Sequence, residues 1–121
     1  MERIMLKSKI HRATITGTDI NYSGSITIDK GLLEAADMLP GEQVHVLNLS
    51  NGTRFTTYII EAPHGSGTIL LNGPAARLGE VDDQVIVLSY CHCSEDEAHK
   101  LRTRVVLVDS NNRIRSGKGN A

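Results

Sequence analysis

Short apolar runs of Ile, Val and Leu recur from Ile4 to Asp109, each soon closed by Gly, Pro, Asn or Asp. Runs of that length with period-two alternation read as β-strands, and turn residues between them set where the chain reverses. The clearest case is Gln43–Leu49, then Asn51-Gly52, then Thr53–Ile60. Asn-Gly accepts the left-handed backbone that a tight hairpin demands, so these two runs are predicted to pair. From Ile4 to Thr16 the chain alternates, with Ile4, Leu6 and Ile10 on one side and Lys7, Lys9 and His11 on the other. The apolar phase then moves to Ala13 and Ile15, which predicts a bulge near residue 12. Further strands are expected at Ser25–Ile28, Thr68–Leu71, Gln84–Tyr90 and Thr103–Asp109. Only two helical pieces interrupt them. Asp29 can cap Lys30–Met38, whose Leu32, Leu33 and Ala36 form one stripe, and Pro40-Gly41 ends it. Gly73-Pro74 opens a short helical turn, with proline where a helix start tolerates it. The reading is therefore one mainly β domain over residues 1–110, with a flexible polar tail at 111–121.

Composition sharpens this. Aromatics are only 3% of 121 residues, with no Trp and one Phe, so Ile, Leu and Val must build the core. The β-branched members of that set suit strands. An internal echo points to a barrel. Ala35-Ala36 before Gln43-Val44-His45-Val46-Leu47 recurs as Ala75-Ala76 before Gln84-Val85-Ile86-Val87-Leu88, which suggests pseudo-two-fold symmetry. A net charge of −1 argues against nucleic acid as a partner. No apolar run is long enough to span a membrane, and Met1–Lys7 is too charged for a signal peptide, so a cytoplasmic protein is expected. Cys91 and Cys93 flank His92, but no second ligand pair follows at zinc-site spacing, so no metal is expected.

One dipeptide, Gly24-Ser25, can carry chemistry of its own. The serine hydroxyl can attack the preceding carbonyl, moving the acyl group from nitrogen to oxygen. Glycine before it reaches backbone regions closed to other residues. Elimination of the ester leaves dehydroalanine at position 25, and hydrolysis turns that into a pyruvoyl group. The products are chains 1–24 and 25–121. Gly-Ser alone is weak, because Gly65-Ser66-Gly67 contains it too and reads as a turn.

The surrounding stretches give it weight. Met5–Ala13 (MLKSKIHRA), Tyr22–Asp29 (YSGSITID), Asn51–Tyr58 (NGTRFTTY) and Asn72–Ala76 (NGPAA) resemble, in order, the motifs of the pyruvoyl-dependent aspartate 1-decarboxylase family. That resemblance implies a double-psi β-barrel that assembles as a homotetramer with active sites between subunits. It implies decarboxylation of L-aspartate to β-alanine and CO2, for pantothenate and so coenzyme A synthesis. The cofactor would be a covalent pyruvoyl group made from Ser25, with neither PLP nor metal. A helper protein for maturation is compatible with the same resemblance.

Residue roles follow from it. Gly24 and Ser25 form the cleavage site, and Ser25 becomes the carbonyl that forms a Schiff base with substrate. Arg54 offers a planar fork to a carboxylate and Lys9 a second positive charge. Tyr58 matches the proton donor, and Thr57 matches a residue that binds substrate and assists cleavage. Simple alternation, however, places Thr57 and Tyr58 on opposite faces, so Thr57 needs a local bend. His11 and Tyr22 match residues lining the site. Asn72 either holds the pyruvoyl oxygen or caps the following turn. Gly73, Pro74 and Ala75 match the substrate-binding loop, although the family usually has Ala where Pro74 stands. Proline has no N–H, so that position cannot donate.

Two rivals account for less. Ser25–Lys30 with Leu32-Leu33 and Leu39–Val44 looks like a swapped-hairpin DNA-binding module, but leaves the later motifs idle. A barrel without chemistry explains the strands and not four ordered motifs.

Overall fold

The computed structural model describes residues 1–115. Eight strands form one sheet in the order β2-β6-β3-β5-β4-β7-β1-β8. They are β1 (Glu2–Thr14), β2 (Gly17–Asp19), β3 (Ser25–Asp29), β4 (Gln43–Asn48), β5 (Arg54–Ala62), β6 (Ile69–Asn72), β7 (Gln84–Ser94) and β8 (Arg104–Leu107). Helices α1 (Lys30–Ala36) and α2 (Glu95–Lys100) and a 3₁₀ turn, Gly73–Arg77, complete it. Strand β2, at one end of that order, follows directly in the chain from β1, which lies next to the other end. After Thr14, Thr16 N–H bonds the Ile69 carbonyl (2.8 Å), and the chain runs on as β2 alongside β6. The sheet thereby closes on itself as a double-psi β-barrel, which removes most of its open edges.

Alternation decides what fills the barrel. Ile10, Ile26, Ile28, Val44, Val46, Ile59, Val85 and Val87 are buried almost completely, alternating along most strands with residues that are at least partly exposed. The bulge expected near residue 12 is present. Arg12 takes φ 66°, and the β1–β7 register shifts between Ile10 and Ala13, returning Ala13 and Ile15 to the core. The internal echo also has a structural meaning. Its equivalent residues Val46 and Val87 are direct antiparallel partners, and His45↔Leu88 and Leu47↔Ile86 flank them symmetrically. A local two-fold axis therefore runs between β4 and β7.

Asp29 ties the end of β3 to two other segments. Its side chain caps α1 through Gly31 N–H (2.7 Å) and accepts from Gly65 (2.9 Å) and Gly67 (2.8 Å). Helix α1 ends at Ala36 rather than Met38, because Asp37 turns to left-handed φ 55°. Lys7 Nζ covers the Asp37 carbonyl.

Two further features differ from the sequence expectation. Strand β7 runs on to Ser94, where Ser94 and Glu97 make a reciprocal capping box that starts α2. Cys91 and Cys93 lie on that extension with their sulfurs 3.4 Å apart, while His92 is exposed on the other face. The tail expected from 111 onward is not free over 111–115. Asn112 is 2% exposed, accepts from Thr14 N–H (2.7 Å) and donates to the Thr14 and Gly67 carbonyls (2.8 Å each). Val108 bridges Ile114 beside it. Polar composition suggested fraying, but here the polar side chain satisfies buried backbone groups. Residues 116–121 of that expected tail lie outside the described part.

Candidate active site

Ser25 begins β3 and is 0% exposed. Its hydroxyl donates to the Ser23 carbonyl (3.0 Å) and accepts from Asn72 Nδ2 (3.0 Å). Register produces the second contact, because β6 runs antiparallel to β3 with Ser25 opposite Asn72. Asn72 precedes the 3₁₀ turn but makes no side-chain cap to it. Its amide instead reaches back to position 25 and also to Thr27 Oγ1 (2.8 Å). Of the two roles open to Asn72 in the sequence, capping the turn is not the one its side chain takes up here. Thr27 was not anticipated, although period two from Ser25 puts it on the same face.

A second glycine beside Gly24 is required by the backbone here, Gly73. Gly24 is not among the residues with positive φ, whereas Gly73 has φ 62°. A Cβ on Gly73 would lie 2.8 Å from Gly24 Cα, Gly24 N and the Tyr22 carbonyl oxygen. The chain at Tyr22–Gly24 therefore rests on bare backbone at Gly73. Gly24 itself is pressed by Pro74, whose Cδ would stand 3.2 Å from an added Cβ.

A cleft of about 350 Å³ opens beside this contact, lined by Gly24, Thr57, Tyr58, Pro74 and Ala75 among others. Thr57 and Tyr58 both reach it without the bend that alternation seemed to require. The reason is an open edge. Strand β5 pairs with β3 only from Ile59 onward, so residues Arg54–Tyr58 have a strand neighbour on one side alone, β4. A cleft along such an edge meets side chains from both faces. Tyr58 is 40% exposed there.

The remaining predicted residues do not converge on Ser25 within one chain. Arg54 is four residues before Tyr58, about 13 Å along the strand at 3.3 Å per residue. Its guanidinium lies 3.3 Å from Tyr90 Oη, to which it donates, and 3.4 Å from His45 Nδ1. Lys9 is opposite Leu88, which is opposite His45, three strands from the cleft. His11 sits two residues further along β1, its Nδ1 buried without a partner. Burial, then the charges of Lys9 and Arg12, hold the His11 pKa below its ordinary value. The Tyr22 side chain is exposed in the turn before Ser25. Among the described residues, no three His, Cys, Asp or Glu side chains gather as a metal site, and no helix is long and apolar enough to cross a membrane.

Known proteins share this arrangement of sequence. The profile of the family described as aspartate decarboxylase matches residues 1–115. The chain belongs to that family. It is 55% identical over 113 residues to the aspartate 1-decarboxylase of Thermoanaerobacter pseudethanolicus, covering 93% of this chain and 97% of that one. It is 59% identical over 110 residues to the aspartate 1-decarboxylase of Dehalococcoides mccartyi, covering 91% and 89%. The Caulobacter vibrioides aspartate 1-decarboxylase is 55% identical over 111 residues, covering 92% and 94%. Membership of the aspartate decarboxylase family thus spans the whole barrel, including the Gly24–Ser25 and Asn72–Ala75 segments that meet in space.

Proposed function

We infer that this chain decarboxylates L-aspartate to β-alanine and CO2, feeding pantothenate synthesis, after cutting itself at Gly24-Ser25. The observation that carries this is the buried Ser25 hydroxyl, fixed between the Ser23 carbonyl and Asn72 beside a cleft lined by Tyr58 and Thr57. In the cleavage, Ser25 Oγ bonds to the Gly24 carbonyl carbon as the Gly24–Ser25 amide bond breaks, and its proton passes to the freed nitrogen. Loss of the Ser25 α-proton then expels the Gly24 carboxylate. Water replaces the nitrogen as ammonia, leaving a ketone at position 25.

These surroundings fit such a carbonyl. Asn72 Nδ2 already aims an N–H at position 25, and a buried carbonyl oxygen needs a donor. When formed, that group supplies a carbonyl that captures the substrate amine and draws off the electrons left as CO2 departs. Tyr58 holds a phenol proton at the cleft mouth, suited to protonating carbon after decarboxylation. Thr57 lies where it can steady substrate. Pro74 contributes a ring contact and no donor, so binding by that loop rests on the N–H groups of Gly73 and Ala75.

The active unit is a homotetramer with sites between subunits. Supporting this, Arg54, Lys9 and His11 sit away from the cleft of their own chain, and among the described residues the cleft's lining holds no cation for two carboxylates. A neighbouring copy presenting Arg54 and Lys9 would complete it. The test is β-alanine production from L-aspartate by purified protein, together with light scattering. Turnover with a tetrameric mass supports the reading. A fully active monomer removes the assembly, and absence of β-alanine from cleaved protein removes the function.

A further inference from the structure

We propose that Thr27 is a positioning residue, its hydroxyl fixing the Asn72 amide so that an N–H stays aimed at position 25. The proposal rests on the function inferred above and adds to it a residue that does not line the cleft.

An asparagine amide has two N–H groups on one nitrogen and an acceptor oxygen on the other side. Asn72 is 2% exposed, so bulk solvent does not reach those N–H groups. They have two acceptors, Ser25 Oγ at 3.0 Å and Thr27 Oγ1 at 2.8 Å. Period two on β3 sets both hydroxyls on one face, and the antiparallel register brings Asn72 of β6 against them. With one N–H to each, the amide plane is held at two points and cannot swing about its last side-chain bond.

Conversion of Ser25 makes the second point matter more. In the uncut chain the Ser25 hydroxyl gives its proton to the Ser23 carbonyl, which leaves it accepting from Asn72. Cleavage removes that hydroxyl and places Ser23 on the other chain. Thr27 is the hydroxyl that survives, and it continues to anchor the amide. Without it, the second buried N–H has no acceptor, and the amide must turn to find one at the cost of its contact with position 25. Valine keeps the shape and β-branching of threonine and deletes only the hydroxyl, whereas serine keeps the hydroxyl.

The experiment compares Thr27→Val and Thr27→Ser with native protein and Ser25→Ala. Melting temperature, the rate at which intact chain gives fragments, kcat and KM for L-aspartate are measured. The Asn72 side-chain amide resonances are followed in the uncut Ser25→Ala background with and without Thr27→Val. Expected results are slower splitting and a kcat lowered roughly tenfold in Thr27→Val, with KM unchanged because Thr27 does not line the cleft. Thr27→Ser should recover most of both, and the Asn72 amide signals should shift when the hydroxyl is lost. Equal behaviour of the Val and Ser variants overturns the proposal, as does native splitting and kcat in Thr27→Val. Splitting of Ser25→Ala would instead overturn the function on which the proposal rests.

Discussion

Gly73 lies so close to Gly24 that a Cβ at position 73 would stand 2.8 Å from the Gly24 Cα and nitrogen. The backbone of the Gly73 turn and that of Gly24 are thus in direct contact, and any side chain at 73 would part them. Gly73→Ala also forces a left-handed φ of 62° on alanine, costing about 1–3 kcal/mol. The barrel should survive this, but the cleavage point should shift. Mass spectrometry should find Gly73→Ala largely uncut under conditions in which native protein is split; native-rate splitting would contradict the account.

Tyr58→Phe separates making the cofactor from using it. Nothing in the cleavage steps calls on the phenol, which stands partly exposed at the cleft. The variant should split normally and retain substrate after borohydride reduction, yet turn over about 10²–10⁴-fold more slowly. Near-native turnover would move the proton-donor role to water or His11.

Strand positions were legible because alternation survives in β1, β4, β5 and β7, where one face meets the core. Strand β2 was not, since three residues carry no period. Helix α2 could have been found from Ser94-x-x-Glu97, a capping-box signal that the end of β7 obscured. Site residues were named by resemblance, but their grouping was not readable, because Ser25 meets Asn72 only through pairing of distant strands. Alternation itself holds at Thr57 and Tyr58, which lie on opposite faces of β5; what the sequence did not display is the open edge at that point, along which one cleft meets both.

Asp29 gives a pH-dependent prediction. Burial pulls its carboxyl upward, but N–H donors from Gly67, Gly65 and Gly31, with the charge of His64, outweigh that and hold its pKa below the ordinary value. A depressed folded pKa means the stabilisation is present above the ordinary carboxylate pKa of about 3.9 and is lost as pH falls through the folded value. Asp29→Asn turns one acceptor into a donor facing an N–H, and should cost about 1–3 kcal/mol at neutral pH. Urea unfolding should show the gap between native and variant closing as pH drops below 4. A gap that stays constant across that range would contradict the carboxylate's role.

Asn112 should matter to stability although it lies far along the chain from the motifs. Its loss leaves the Thr14 N–H and the Thr14 and Gly67 carbonyls without that partner. Asn112→Ala should cost about 2–4 kcal/mol, read as a lower melting temperature. Truncation after Ser110 should cost at least as much. An unchanged melting temperature in either would restore the free-tail expectation for residues 111–115.

The mass of the mature protein tests the central claim most directly. Intact-mass spectrometry of purified native chain, before and after warm incubation or exposure to cell extract, should show fragments 1–24 and 25–121, the longer beginning with a ketone in place of an amine. Ser25→Ala, treated identically, should remain a single 121-residue chain. Native protein that stays whole under every one of these conditions, or Ser25→Ala that splits at the same bond, would contradict it.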